Sequence, residues 1–174
     1  DNFELIEGDV MKLNLAEIIS QKFADCDSVK VCANLPYYIT SPIVMMLLES
    51  NLPIDEIEVM VQREAAQRLC AEIGTRDAGA VTVAVNYYGE AEILFDVGKE
   101  SFMPSPKVDS AVIKITLRKQ KKFDIDNEKA FFTMIKGAFS QRRKTLVNSL
   151  SSTAGISKDK ITSALGELGI SPTV

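Results

Sequence analysis

The chain has 174 residues, 46% hydrophobic and 25% charged, which is the composition of one globular domain, or of one domain with a small appendage. It contains no histidine, so the usual general base, the Ser/His and Cys/His nucleophile systems and most zinc sites are excluded. The net charge of −4 is unevenly spread: residues 1–98 carry 6 Lys and Arg against 17 Asp and Glu, whereas residues 99–148 carry 12 against 5. That asymmetry suggests a polyanion partner for the second part alone, although on charge alone a solvated charged face is the favoured reading.

In chain order, residues 3–6 (FELI) read as a short strand ending in a polar turn at Gly8 and Asp9. LNLAEIISQKF has apolar residues at helical spacing, and SVKVCANLP is a β-branched strand stopped by Pro36. TSPIVMMLLESN is a helix whose Ser41-Pro42 resembles an N-cap followed by proline at the first helical position. IDEIEVMVQ is a strand, REAAQRLCAEI a helix and residues 74–79 a loop. AVTVAVNYYG is ambiguous by period, and its length favours a helix. EAEILFDVG is a strand, and FMPSPKV is a loop stiffened by two prolines. DSAVIKITLRK alternates strongly, with Ala111, Ile113 and Ile115 on one face. The pattern beyond Lys122 is purely helical: NEKAFFTMIKGAF, RRKTLVNSL, and SKDKITSALGEL closed by Gly169.

Strands thus alternate with helices to about residue 118, and helices alone follow. The expected architecture is a layered α/β domain with a mostly parallel sheet over residues 1–118, then a small helical domain over 119–174. Cys26, Cys32 and Cys70 show no metal-ligand spacing and are expected to be reduced and buried, in a cytosolic setting. No apolar run approaches the ~20 residues of a membrane span, and no leader pattern opens the chain.

In open α/β sheets, ligands sit beyond the carboxyl ends of strands. Two polar constellations fall there: Asp9, and the run NLPYY at 34–38. A turn that happens to contain proline, with tyrosines packed inward, accounts for NLPY as well as a binding site does. As a site, its chemistry is specific. An exocyclic amine such as adenine N6 is a poor nucleophile, because its lone pair is delocalised into the ring. The Asn34 side-chain oxygen and the Pro36 carbonyl would accept its two N–H groups and favour the charge that develops as nitrogen attacks. Tyr37 would stack on the ring, and no histidine is needed. In SFMPSPKVDS, Phe102 is either a core residue of an irregular loop or a second aromatic wall, with Lys107 near phosphates. In FSQRRKTLVNSL, Arg142, Arg143 and Lys144 are either a solvated surface or phosphate contacts beside a helix N-terminus.

These segments, in this order, resemble the ribosomal RNA adenine dimethyltransferases, specifically the small-subunit dimethyladenosine transferases linked to kasugamycin sensitivity. The resemblance runs from IEGDV through NLPYYITSPI, VQREAAQRL, FMPSPKVDSAV and FSQRRKTLVNSL. It implies a Rossmann-like methyltransferase domain that uses S-adenosylmethionine without a metal. The implied reaction dimethylates N6 of two adjacent adenines in a small-subunit rRNA hairpin during ribosome biogenesis. The implied enzyme is a monomeric cytoplasmic protein acting on the immature subunit. By the same resemblance, Asp9 matches the acidic residue that binds the donor's adenine amine. Asn34 matches the residue touching both the donor and the target amine, Pro36 and Tyr37 the acceptor and stacking positions, and Phe102 the opposing aromatic.

Three other readings share part of this pattern. A non-catalytic relative that binds RNA or DNA would be expected to lack Asn34, Tyr37 or Phe102, and all three are intact. The large-subunit, antibiotic-resistance branch shares the Asn-x-Pro-Tyr core, but NLPYYITSPI and PSPKVDSAV look more like the small-subunit branch. DNA adenine methyltransferases usually carry two prolines in that core. One departure is large: the family's Gly-rich loop and ribose-gripping acidic residue have no counterpart here. The expectation is therefore a fragment that starts near the family's third strand and stops before its last helix, with half a donor site. Its 29–33 strand would be left with a bare edge, to be covered by residues 3–6 or by another chain.

Overall fold

In a computed structural model that describes residues 2–141 and 143–173, four strands form one sheet in the order β1-β2-β4-β3, with seven α-helices. The strands are β1 (Lys30–Asn34), β2 (Glu56–Gln62), β3 (Gly89–Val97) and β4 (Ser110–Leu117). The helices are α1 (Leu15–Lys22), α2 (Thr40–Glu49), α3 (Arg63–Leu69), α4 (Ala80–Tyr88), α5 (Glu128–Phe139), α6 (Leu146–Ala154) and α7 (Lys158–Glu167). AVTVAVNYY is helical, as its length suggested.

β1 and β2 run parallel, but β4 is antiparallel to both β2 and β3, so the expectation of a mostly parallel sheet is corrected. The connection explains the difference. A parallel return needs a crossover of a dozen or more residues, usually helical. Between β3 and β4 lie residues 98–109, stiffened by prolines and holding only a three-residue 3₁₀ turn. β4 therefore turns back and inserts between β2 and β3, leaving β1, β2 and β3 pointing the same way.

The alternation in β2 and β4 pays off on one face only. Ile57, Val59 and Val61 stand opposite Ile115, Ile113 and Ala111, all essentially inaccessible. Against them pack Ile43, Val44, Leu47 and Leu48 of α2, Ala66 and Leu69 of α3, and Val85 of α4. The intervening residues carry charge, with Lys30 paired to Glu56 and Lys114 to Glu92, each at 2.7 Å. A sheet with one apolar and one charged face is the pattern of antiparallel rather than buried parallel architecture.

Residues 3–6 form no strand, contrary to expectation, and Phe3 and Leu5 are about 80% exposed. Outside a ladder, an extended segment leaves its N–H and C=O groups to water and gains no packing. A Lys22–Glu4 pair at 2.9 Å ties it to α1. Among the described residues β1 is an edge of the sheet, so residues 3–6 do not cover it. Ser41 is not a cap either: α2 begins at Thr40, whose hydroxyl donates to the Pro36 carbonyl at 3.3 Å. The helix expected over RRKTLVNSL starts later, at Leu146, where Thr145 caps it.

After β4 only helices follow. Val147, Leu150, Ile161 and Leu165 form a small apolar cluster of α6 and α7. Gly137 of α5 lies against α6, where an added Cβ would meet Thr153 Oγ1 at 2.6 Å, and its carbonyl accepts the Ser149 hydroxyl at 2.7 Å. α5 joins the sheet layer through α4. Tyr87, Tyr88, Phe131 and Phe132 pack edge-to-face and stacked, with centroids 4.9–5.9 Å apart. Both phenols donate to one carboxylate, Tyr87 to Glu128 Oε1 at 3.1 Å and Tyr88 to Oε2 at 3.3 Å, and Lys121 also bonds Glu128.

Lys121 holds the Glu128 carboxyl below the usual carboxylate range, with the two phenols assisting. A depressed folded-state pKa gives stability that is present above the unfolded value, about 4.3, and lost as pH falls through the folded one. Glu128→Gln should therefore cost about 1 kcal/mol at pH 7. Urea titrations of both proteins should converge as pH drops below the folded carboxyl's pKa.

The expectation that all three thiols are buried is also corrected. Cys26 and Cys32 are exposed, because Cys26 lies in the turn after α1 and Cys32 on the charged face of β1, and Cys70 is half-buried. Burial, with Glu92 nearby, pushes the Cys70 thiol up to about 11. At pH 8 about one part in a thousand of it is thiolate, so a chromogenic disulfide should react quickly with two thiols and slowly with the third. Three equally fast equivalents would contradict this placement.

Candidate functional site

The site is assembled at one end of the sheet. Since β1, β2 and β3 point the same way, their carboxyl ends at Asn34, Gln62 and Val97 meet the amino end of β4 at Ser110. In register, Ser110 stands opposite both Gln62 and Val97, and Asn34 stands opposite Met60. The Leu35 N–H donates to the Met60 carbonyl at 3.2 Å, so the chain leaves the ladder only at Pro36. Pro36 then caps a 3₁₀ turn, Tyr37–Ile39, that runs directly into α2.

This geometry brings four of the candidate residues together. Asn34, Leu35, Pro36 and Tyr37 line a pocket of about 340 Å³ with Phe102, Pro104 and Pro106 of the 98–109 loop. That is at the small end of ligand pockets and suits a planar group between two aromatic walls. The Met103–Pro104 peptide bond is cis. Asn34 is exposed, and its amide makes no hydrogen bond among the described residues, leaving both ends for a ligand. Tyr37 is half-buried with its phenol 2.7 Å from the Ser110 hydroxyl, whereas Tyr38 is 85% exposed.

The Pro36 carbonyl is less available than the sequence suggested. As the cap of the 3₁₀ turn it already accepts the Ile39 N–H at 3.1 Å and the Thr40 hydroxyl at 3.3 Å. The residue before it fits better. The Leu35 carbonyl has no partner among the described residues, and Leu35 lines the same pocket. A free backbone acceptor beside the Asn34 amide is the pair that an exocyclic amine requires. Proline's part is to fix the turn that turns its own carbonyl away.

Asp9 does not line that pocket. One of its carboxylate oxygens accepts the Met11 N–H at 3.0 Å, and the other faces Lys12 at 3.6 Å. Both Asp9 and Asn34 are exposed. Lys107 is exposed, one residue beyond Pro106 at the pocket wall. Arg142 lies outside the described residues. Arg143 and Lys144 line a groove of about 450 Å³ with Thr145, Asn148 and Lys158 at the start of α6. Lys144 also borders a larger cleft of about 960 Å³, opposite Arg68 and Arg76.

Sequence reasoning missed Lys158, Arg68 and Arg76 as neighbours of the basic segment, because nothing in one-dimensional spacing ties residues so far apart. It also missed Leu35 as an acceptor. The signal there was its position, between the last ladder residue and a proline that must cap the next turn.

Two solved structures share this fold. One is a dimethyladenosine transferase from Plasmodium falciparum, with a TM-score of 0.69 and 23% identity over 97% of this chain and 58% of that one. The other is the 23S rRNA methyltransferase ErmE, at 0.59 and 21%, over 92% and 70%. At such identities the likeness is one of fold. The family model for ribosomal RNA adenine dimethylase matches residues 1–169, and this chain belongs to that family. Among curated relatives, proteins named ribosomal RNA small subunit methyltransferase A are 45% identical in Geobacillus thermodenitrificans, over 99% of this chain, and in Clostridioides difficile, over 98%. The chain spans 60% and 58% of those relatives' lengths.

Proposed function

We propose that the chain is the base-holding part of an rRNA adenine N6-dimethyltransferase. Its substrate would be a small-subunit rRNA hairpin with two adjacent adenines, on an immature subunit in the cytoplasm, and the full enzyme would act as a monomer. The observation that carries this reading is the single pocket that gathers Asn34, Leu35, Tyr37 and Phe102. Residues 1–118 would form the methyltransferase part and 119–174 a helical domain for RNA.

S-adenosylmethionine, when bound, supplies a methyl group on a cationic sulfonium, so the leaving group needs no acid. The residues described here hold the nucleophile. Tyr37 and Phe102 would sandwich a flipped adenine, each stack contributing ~1–3 kcal/mol against the cost of unstacking it. Asn34 Oδ1 and the Leu35 carbonyl would accept the two N–H bonds of N6, drawing its lone pair out of the ring and stabilising the positive charge that develops. Holding the amine in line with the methyl converts a bimolecular displacement into an effectively unimolecular one. The methylated amine is strongly acidic and loses its proton to water, in keeping with a chain that has no histidine. Asp9 and Asn34 would contact the donor. Arg143 and Lys144, with Lys107, would meet phosphates.

Two experiments test the reading. In the full enzyme, Asn34→Ala should slow single-turnover methyl transfer to RNA by about 10²-fold with little change in RNA affinity. Near-normal turnover would remove Asn34 from the chemistry. Reversing charge at Arg143 and Lys144 should lower the slope of log affinity against log salt by about 2, as two phosphate contacts are lost. An unchanged slope would make these residues a solvated surface.

A further inference from the structure

Ser110 and Asp109 stand outside the pocket, yet each holds one of its aromatic walls. Ser110 is fully buried, and its hydroxyl shares the 2.7 Å hydrogen bond with the phenol of Tyr37. A buried hydroxyl needs a partner, and Tyr37 supplies it. The ring of Tyr37 is only half-buried, so this bond is what fixes the far end of a side chain otherwise free to turn.

Asp109 acts on the other wall. Its Oδ1 accepts the Lys99 N–H at 3.0 Å, at the start of the 3₁₀ turn that Phe102 terminates. The Ser105 hydroxyl donates to the Lys99 carbonyl at 2.9 Å, so that residue is held at both its polar groups. Asp109 is itself anchored, because its carbonyl accepts the Arg63 N–H at 3.0 Å just past β2. Consecutive residues of an extended chain project to opposite sides, so two neighbours can address two different loops.

We propose that Asp109 and Ser110 are positioning residues that together set the separation and tilt of the Tyr37 and Phe102 rings. This rests on the reading of the pocket as a base-binding site. A displacement of about 1 Å in such a site can cost 10²-fold in rate, which is why both walls would be referenced to one rigid strand end.

The test uses quenching of 2-aminopurine riboside fluorescence, a base probe that needs no methyl donor. Ser110→Ala and Tyr37→Phe should each weaken probe binding by about threefold to tenfold, the value of one hydrogen bond. The double variant should be no weaker than either single one. Asp109→Ala should also weaken binding, and Asp109→Asn, which keeps an acceptor oxygen, should restore it. The proposal is overturned if the Ser110 and Tyr37 effects multiply, if Tyr37→Phe binds normally, or if Asp109→Asn is as damaging as Asp109→Ala. It also falls if the unmodified protein does not quench the probe. Should Ser110→Ala not fold, Tyr37→Phe and the Asp109 pair decide the matter. Quenching, with no methyl transfer to RNA by the full enzyme, would defeat the proposed function and leave this brace standing.

Discussion

The insertion of β4 between β2 and β3 is the constraint on which the rest depends. A strand running against its two neighbours puts its first residues beside their last ones. Ser110 therefore faces Gln62 and Val97, and the loop that precedes it stays at the end of the sheet where β1 finishes. There Phe102 shares a pocket with Asn34 and Tyr37. A parallel β4 would have carried the 98–109 loop to the opposite end of the sheet.

The same arrangement explains how so small a sheet can be stable with one charged face. β2 and β4 are its two inner strands, and their inaccessible residues alternate with Glu56, Glu58 and Lys114. Cross-strand pairs tie Lys30 to Glu56 and Lys114 to Glu92 on that face. Exposed pairs of this kind contribute little stability, so the apolar face under α2, α3 and α4 bears most of it. The site end of the sheet can then be given over to polar groups that do not serve packing, such as the unpartnered Asn34 amide.

Much of this was legible in residue order. Each of β1 to β4 is legible as a strand in the sequence, and the alternation of Ala111, Ile113 and Ile115 marks the buried face of β4. Asn34, Tyr37 and Phe102 were singled out because their chemistry suits a polar ring, and they do share a pocket. Two of the misses depend on a neighbour distant in sequence. Residues 3–6 have strand-like composition, but only a ladder makes a strand. Cys32 looks like a core residue in an apolar run, yet register puts it opposite Glu58 on the charged face. Strand direction was missed because the decisive feature was a proline-rich connection with no α-helix to cross over.

The acceptor assignment shows where local chemistry and motif reading part. A proline carbonyl after an asparagine looks like a rigid acceptor beside an amide. A proline that caps a turn, however, commits its carbonyl to the N–H three residues on, here Ile39, and Thr40 adds a second donor. The carbonyl left over belongs to the preceding residue, whose own N–H is still held by β2. Leu35 thus has one backbone group fixed in the ladder and the other released beyond it. A free acceptor carried on a rigid strand end is the arrangement that can aim an amine, because the turn forces it there without any side chain having to hold it.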